Sequence, residues 1–200
     1  MNQPSVYSYS QIIDTAIELI REQGWSAVST RAIAKKLGSS TMPIYSHVRS
    51  MEELEKELRK EARKLLKSFQ QRRYTDNILL NLAYGYVVFA KHEKNLFQFL
   101  FIESPETFSS EDQSVLNSFF AEFGEDSAEA KLLSELKDSG QLALVQYTWI
   151  FTHGLAMLVN TGAFDSSSDQ EILRFLMNAG EAFYQWGIKK NEGENSDNDK

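Results

Sequence analysis

The chain has 200 residues, a formal net charge of −7, three prolines and no cysteine. The absence of cysteine excludes disulfide frameworks, thiolate metal sites and cysteine nucleophiles, and 42% hydrophobic with 24% charged residues excludes a disordered or low-complexity chain. No uninterrupted apolar run approaches the ~18 to 20 residues of a bilayer span, and no secretory signal pattern opens the sequence. We therefore expect a globular, cytoplasmic protein of one or two domains, without a membrane partner.

The charge is unevenly distributed along the chain. Residues 1–73 contain 13 Lys and Arg against 8 Asp and Glu, whereas residues 74–200 contain 8 basic and 20 acidic residues. Because affinity for nucleic acid comes from local basic charge, the first third is the part expected to face phosphates. The alternative is that the two parts are simply solvated surfaces of opposite sign.

Capping residues predict short helices at the start of the chain. Ser8 and Gln11 form a capping box, which predicts a first helix over about residues 9–23. Ser29 is the N-cap of a second helix of about two turns, and Gly38 ends it.

The position of Pro43 restricts the third helix, because proline is tolerated only in a first turn. With Ser40 as the N-cap, the third helix covers about residues 41–47. Ser50 and Glu53 form a second capping box and open a longer helix. The apolar stripe of this fourth helix is predicted to consist of Leu54, Leu58, Ala62, Leu65 and Phe69.

The rest of the chain also has helical periodicity, without sustained alternation of period two, so we predict an all-α fold. We expect domain boundaries at 1–49, 50–73 for a connecting helix, and 74–190 for a helical bundle. Residues 191–200 contain no apolar side chain and are predicted to form a disordered acidic tail. Further helices are expected near 76–91, 95–101, 111–123, 127–137, 141–160 and 169–189. Ser168 and Glu171 form a third capping box, which opens the last of them.

Three short helices with a glycine-containing turn between the second and third are typical of a helix-turn-helix. Here the segments are STRAIAKKLG over 29–38, TMPIYSHV over 41–48 and SMEEL over 50–54. Together they closely resemble the DNA-binding domain of the TetR family of bacterial repressors, over about residues 8–55. Met51 departs from the family pattern, in which many members have a lysine that faces phosphate.

The resemblance implies a set of DNA-contacting residues. Thr41, Met42 and Pro43 match positions that meet base edges, where threonine can donate and accept and the other two offer apolar contacts to a thymine methyl. The ring of Tyr45 could instead pack against the first helix, and His47 could instead stabilise a helix end. Positions near the DNA backbone or groove are matched by Thr30, Arg31, Ser40, Tyr45, His47 and Arg49.

The second domain shows a further resemblance, in the segment WIFTHGLAML over 149–158. In the family the last two helices pair with those of a twin to form a homodimer, around which earlier helices enclose an effector cavity. The last helix here has apolar residues on more than one face, which is consistent with an interface or with burial inside its own domain. The predicted dimer contacts are Leu173, Leu176, Met177, Phe183 and Tyr184.

Aromatic residues of the second domain are the candidates for an effector pocket. Aromatic stripes at helical spacing more often form a core than a ligand site, so both interpretations stay open. His153 could offer a polar contact to a ligand or could be bonded to a neighbouring carbonyl. The candidate pocket residues are Tyr86, Phe89, Phe97, Phe101, Phe119, Phe123, Trp149 and His153.

The leading hypothesis is a dimeric repressor that binds a palindromic double-stranded DNA operator and is released by a small apolar or aromatic ligand. The alternative is a DNA-binding regulator without a small-molecule effector, controlled by a protein partner or acting as an activator. An enzyme is disfavoured, because the three histidines lie in unlike contexts and the sequence has no HExxH, phosphate-binding glycine loop or GxSxG motif. We predict no catalytic residues, no metal and no cofactor.

Overall fold

The computed structural model describes residues 7–103, 128–164 and 168–197. Within these ranges the chain forms helices and no strands, which confirms the predicted all-α class. The helices are α1 (Tyr9–Gln23), α2 (Thr30–Lys36), α3 (Met42–Tyr45), α4 (Met51–Gln70), α5 (Ile78–His92), α6 (Lys94–Phe101), α7 (Ala128–Ser134), α8 (Asp138–Thr161) and α9 (Asp169–Asp197), with a 3₁₀ turn at Trp25–Ala27.

The described residues divide into two compact units. The first unit contains residues 7–68 and 92–103, and the second contains 69–91, 128–164 and 168–197. The sequence-based boundaries differ, because they assign α6 to the second domain. Contacts between residues far apart in sequence place α6 in the first unit instead.

Ser8 begins α1 through the predicted capping box. Its hydroxyl accepts a hydrogen bond from the Gln11 amide at 3.2 Å, and its own amide donates to the Gln11 side-chain oxygen at 2.8 Å. Gly24 ends the helix with φ of 84° and donates its amide to the Ile20 carbonyl at 2.8 Å. Since residues with a Cβ rarely adopt this φ, glycine is the residue that suits this helix end.

Helix α3 begins one residue later than predicted and ends two residues earlier. Its N-cap is Thr41 rather than Ser40, because the Thr41 carbonyl accepts the Ile44 amide at 3.1 Å. The Ser40 carbonyl accepts instead from the Ser39 hydroxyl at 2.8 Å. Pro43 is therefore the second residue of the helix, where the missing amide costs no intrahelical hydrogen bond.

The apolar stripe of α4 agrees with the prediction except at one position. Leu65 stays half-exposed and Leu66 is buried in its place. Leu66 lies farther round the helix, so the buried face broadens toward the C-terminal end of α4. The buried residues of the stripe are Leu54, Leu58, Ala62, Leu66 and Phe69.

The N-terminal end of α6 is bound to α1. Glu93 accepts two hydrogen bonds from the Arg21 guanidinium, at 2.9 and 2.8 Å, and the Asn95 side chain donates to the Arg21 carbonyl at 2.8 Å. The rings of Trp25 and Phe99 lie 5.0 Å apart. These contacts join α6 to the helix-turn-helix segment as one packing unit.

Arg59 of α4 binds the C-terminal end of α6. Its Nε and Nη2 donate to Glu55 Oε1 at 3.0 and 2.9 Å, and Nη1 donates to the carbonyls of Phe99 at 2.7 Å and Leu100 at 3.3 Å. The guanidinium also lies 4.4 Å from the centre of the Phe99 ring. With 7% of its surface exposed, Arg59 is the one charged residue that is buried in the described part of the chain.

In the second unit, Gly85 permits a close approach of α5 to the end of α4. A Cβ at this position would overlap the Phe69 carbonyl oxygen and would lie 2.6 Å from the Gln70 Cα. The other end of α5 is held to α8, because the buried Asn160 side chain donates to the Ala90 carbonyl at 3.0 Å. Backbone contact thus fixes α5 at one end and a buried amide fixes it at the other.

The last two helices are long. Residues Ser139–Thr161 of α8 are long and apolar enough to cross a membrane by length and composition alone, a test that core helices of soluble proteins also pass. Helix α9 starts with the Ser168 hydroxyl accepting the Glu171 amide at 3.2 Å, as the third predicted cap requires. It continues to Asp197, so the helix extends into the segment that the sequence predicts to be a disordered tail.

Replacing Arg59 by Met is expected to lower the free energy of unfolding by about 3 kcal/mol, because it leaves Glu55 without its counter-charge and two carbonyls without their donor. Chemical denaturation of the full chain measures the change. The control is Lys56→Met, which removes an exposed pair of 3.1 Å with Glu52 and is expected to cost no more than about 0.5 kcal/mol. Equal losses in the two variants would contradict the proposed importance of the buried site.

Replacing Gly85 by Ala is expected to lower the free energy of unfolding by about 1 to 3 kcal/mol, because the added methyl group overlaps backbone that cannot move independently. Helix propensity alone predicts the opposite sign, a gain of about 1 kcal/mol. The control is Gly180→Ala, where the methyl group meets nothing within 4 Å in the protomer. A Gly85→Ala protein as stable as this control would contradict the steric argument.

Candidate functional site

Helix α3 has one buried and one exposed face. Ile44 is fully buried and anchors the helix, while Met42 is 77% exposed and Tyr45 is 60% exposed. Thr41 and Pro43 are half-buried at the start of the helix. Met42 and Tyr45 therefore flank the buried Ile44 on the solvent side of the helix. The residues predicted to meet base edges therefore lie at an accessible end of α3.

Tyr45 and Thr30 are brought together although they are 15 residues apart. Their hydroxyls lie 3.2 Å from each other, and either can be the donor. The exposure of Tyr45 excludes burial of its ring against α1, which was the structural alternative for this residue. The two hydroxyls instead form a polar pair that joins α3 to the start of α2.

His47 has a structural contact. It is half-buried, and its Nε2 donates to the Tyr7 carbonyl at 3.1 Å. The hydroxyl of Tyr7 in turn donates to the Leu37 carbonyl at 2.7 Å. Tyr7 therefore connects the segments after α2 and α3, and sequence reasoning missed it because both partners are 30 or more residues away.

The remaining candidates for phosphate contacts are exposed. Arg31, Ser40 and Arg49 all have accessible side chains. Lys35 is also exposed, whereas Lys36 contacts Glu22 at 2.6 Å and Glu18 at 3.4 Å. Of these two lysines, Lys36 is thus already paired with carboxylates within the protein. Its hydrogen bond with Glu22 raises its pKa and so favours the charged form.

The predicted pocket residues do not all belong to one unit. Tyr86 and Phe89 of α5 and Trp149 and His153 of α8 lie in the second unit. Phe97 and Phe101 lie on α6 in the first unit, with ring centres 5.0 Å apart. Phe119 and Phe123 lie outside the described residues.

Phe89 has the character of a core residue. It is fully buried, and its ring meets that of Phe69 edge-on at 5.6 Å. This geometry is favourable for aromatic packing and leaves no polar group unsatisfied. The observation favours the core interpretation for this member of the set.

Tyr86, Trp149 and His153 form a contiguous group. The Tyr86 hydroxyl and His153 Nδ1 are 2.9 Å apart, and the Trp149 and His153 rings stack at 5.2 Å with an angle of 11°. Burial lowers the pKa of His153 and raises the pKa of Tyr86. Both side chains are therefore neutral at pH 7, and the Tyr86 hydroxyl is one hydrogen-bond partner of His153.

The residues predicted for the dimer interface have different environments. Met177 is 57% exposed, whereas Leu176 is buried within the second unit, and Leu173 is half-buried. The Phe183 ring lies 5.9 Å from that of Tyr147. The Tyr184 hydroxyl donates to Glu135, which raises the pKa of Tyr184 to about 12. Only part of this set thus remains available to a partner.

The sequence missed an exposed apolar row on α8. Ile150 is 55% exposed, Leu158 46% and Tyr147 42%, and their spacing of three and eight residues places them on one side of the helix. Gly154 lies between them and has open space where a Cβ would be. We call Tyr147, Ile150, Gly154 and Leu158 the α8 face.

Comparison with known proteins agrees with the arrangement of the first unit. Residues 12–58 match the family model of bacterial regulatory proteins, tetR family. The chain is 33% identical over 85 residues to the uncharacterised HTH-type transcriptional regulator YobS of Bacillus subtilis (strain 168), and the match covers 40% of this chain and 44% of the relative. The chain therefore spans less than half the length of that curated relative.

A solved structure agrees over a longer range. A TetR-family transcriptional regulator structure from Mesorhizobium loti MAFF303099 aligns with a TM-score of 0.54 and 18% identity, covering 91% of this chain and 97% of that chain. This likeness shows the shared fold. The helix-turn-helix segment, residues 12–58, is thus similar to the DNA-binding region of bacterial regulatory proteins of the tetR family.

Proposed function

We propose that the protein is a sequence-specific DNA-binding transcriptional regulator. The observation that carries this proposal is the accessible end of α3, where Met42 and Tyr45 stand out beside a fully buried Ile44. A helix presented in this way can enter a major groove. The basic excess of residues 1–73 supplies the attraction to phosphates, and the family match over residues 12–58 supports the assignment.

The contacts with DNA divide into base and backbone contacts. Thr41 can donate and accept at a base edge, and Met42 and Pro43 offer apolar surface to a thymine methyl. Arg31 and Arg49 are exposed cations that suit phosphate oxygens, and the hydroxyl pair of Thr30 and Tyr45 suits the backbone as well. Base contacts set the sequence that is recognised, whereas the backbone contacts position α3.

The operator can be recovered by selection from random-sequence DNA and used to test this division. Thr41→Ala is expected to relax the preference at one base position per half-site, at a cost of about 1 to 3 kcal/mol. Arg49→Ala is expected to weaken binding to all sequences alike. It is also expected to reduce the slope of log affinity against log salt concentration by about one. Fluorescence anisotropy measures both, with Arg174→Ala of the second unit as the control. Equal affinity of the unmutated protein for operator and scrambled DNA at moderate salt would contradict the proposal.

We propose further that α8 and α9 form a two-fold dimer interface. The α8 face and Met177 of α9 expose apolar surface that a single protomer leaves in water. Glycine at position 154 has open space beside it, so a partner helix can approach closely. A two-fold axis explains why the operator is expected to be palindromic, with half-sites about one helical turn apart or a little more.

Introducing a charge into the α8 face is expected to separate the dimer. Ile150→Glu places a carboxylate where apolar surface would be buried, so we expect a monomeric mass at micromolar concentration and weaker binding to the full operator. Sedimentation equilibrium measures the mass. The matched control is Ile102→Glu, which changes an isoleucine of the first unit that is 43% exposed. A monomeric unmutated protein, or a dimeric Ile150→Glu variant, would contradict this interface.

We propose that DNA release is controlled by a small apolar or aromatic ligand bound in the second unit, which makes the protein a repressor. The group formed by Tyr86, Trp149 and His153 supports this, because it combines aromatic surface with a neutral polar pair. The ligand shifts the equilibrium only by its differential affinity for the DNA-competent and DNA-incompetent states. Helix α4 belongs mostly to the first unit and ends in the second, so it is the candidate transmitter. A protein partner, or action as an activator, is the alternative.

A further inference from the structure

Two threonines on consecutive turns of α8 have buried hydroxyls without a hydrogen-bond partner. They are Thr148 and Thr152, and 5% of the surface of Thr152 is exposed. A buried hydroxyl is normally satisfied, and threonine in a helix can readily donate to the carbonyl four residues earlier. Two such exceptions, four residues apart, lie about 5 to 6 Å from each other on the same face.

The same turns of α8 also carry Trp149 and His153, which belong to the aromatic group with Tyr86. Trp149 and His153 directly follow the two threonines in sequence, so the four residues form two adjacent rows on α8. His153 is stacked on Trp149 and bonded to Tyr86. All five side chains are uncharged at pH 7, because burial lowers the pKa of His153 and raises the pKa of Tyr86.

We propose that Thr148 and Thr152 are the polar contacts for a neutral aromatic ligand that carries a hydroxyl or amide group. The inference rests on the proposed effector function and names the ligand class for that site. A threonine hydroxyl both donates and accepts, so a ligand group with the same double capacity can satisfy it. The indole and imidazole rings provide the aromatic contact.

The neutrality of these five side chains disfavours ligands that are ionised. A carboxylate or ammonium ion brought among these five residues would lose its hydration without gaining a counter-charge. A purely apolar ligand would leave both hydroxyls unsatisfied. The site is therefore expected to bind neutral aromatic ligands with a polar group more tightly than either ionised or purely apolar ligands.

The buried state of the hydroxyls links ligand binding to a conformational change. Their oxygen atoms are covered in this structure, so a ligand reaches them only when the packing around this turn of α8 opens. A ligand that binds the open arrangement and not the closed one has the differential affinity that a population shift requires.

The test uses four naphthalene probes with the full chain. We expect 2-naphthol and 2-naphthamide to bind at least about tenfold more tightly than naphthalene or the anion 2-naphthoate. Isothermal titration calorimetry measures affinity, and quenching of tryptophan fluorescence provides a second readout. Failure of both neutral polar probes to bind, or preference for naphthalene or 2-naphthoate, would overturn the proposal.

Variants of the threonines separate ligand binding from structure. Thr148→Val and Thr152→Val each remove an unsatisfied hydroxyl at nearly constant side-chain shape. Each variant is therefore expected to raise the melting temperature and to lower the affinity for 2-naphthol about tenfold. Thr152→Ser keeps a hydroxyl and is expected to retain binding. Lower melting temperatures for both valine variants, or unchanged 2-naphthol affinity, would show that the hydroxyls are structural and overturn the proposal.

The control for the valine variants is Thr15→Val. Thr15 is about as buried as Thr152, with 8% of its surface exposed, but its hydroxyl donates to the Gln11 carbonyl at 2.7 Å. We expect this variant to melt at a lower temperature and to bind 2-naphthol as the unmutated protein does. Reduced affinity for 2-naphthol in this control would overturn the assignment of the site to α8.

Measurements of DNA affinity distinguish this inference from the proposed function. If 2-naphthol binds through the two threonines and weakens operator binding, DNA must weaken 2-naphthol binding by the same factor. If 2-naphthol binds in this way without affecting DNA, the ligand site is supported and the release mechanism fails. Loss of all sequence-specific DNA binding in the unmutated protein would refute the regulator proposal and leave the ligand measurements unaffected.

Discussion

The buried guanidinium of Arg59 is the interaction on which the first unit most depends. A cation removed from water is tolerated only if its charge is balanced and its donors are satisfied. Glu55 balances the charge, and the carbonyls of Phe99 and Leu100 take the remaining donor. Because those carbonyls belong to the end of α6, the requirement of one side chain on α4 decides that α6 packs with the helix-turn-helix. Arg21 and Glu93 make the corresponding contact at the other end of α6.

Other contacts in the first unit explain how the very short helix α3 is held in place. Helix α3 has four residues, far fewer than a helix needs to be stable alone in water. Ile44 fixes it from below, and Tyr7, His47, Thr30 and Tyr45 connect its ends to neighbouring segments. Tertiary contacts therefore supply the stability that helix propensity does not, and Met42 remains free of the packing.

The second unit shows where packing and binding impose opposite demands. At Phe89 the core is well packed by an edge-on ring contact, and the buried Asn160 amide donates to the Ala90 carbonyl. In contrast, the buried hydroxyls of Thr148 and Thr152 lack hydrogen-bond partners, and the apolar side chains of the α8 face are exposed to water. Such local defects cost stability, and proteins retain them where a partner or ligand restores the missing contact. The two proposed binding surfaces of α8 both lie at defects of this kind.

The sequence by itself determined the helical class, the caps at Ser8 and Ser168, and the helix-turn-helix. These depend on local patterns: a capping box joins residues three apart, and an apolar stripe repeats every three or four residues. The family motif also lies within one continuous segment, so it could be recognised without any structure.

Only the tertiary structure decided the features that join distant residues. The sequence names Phe97 and Phe101 as pocket candidates. Contacts with Arg59 and Arg21, which lie 40 or more residues away along the chain, join α6 to the first unit. Likewise, Leu176 has the same apolar character as Met177, yet packing buries one and leaves the other exposed. Hydrophobicity indicates that a side chain avoids water and does not specify which surface covers it. That choice depends on which helices meet, and this is set by the whole fold.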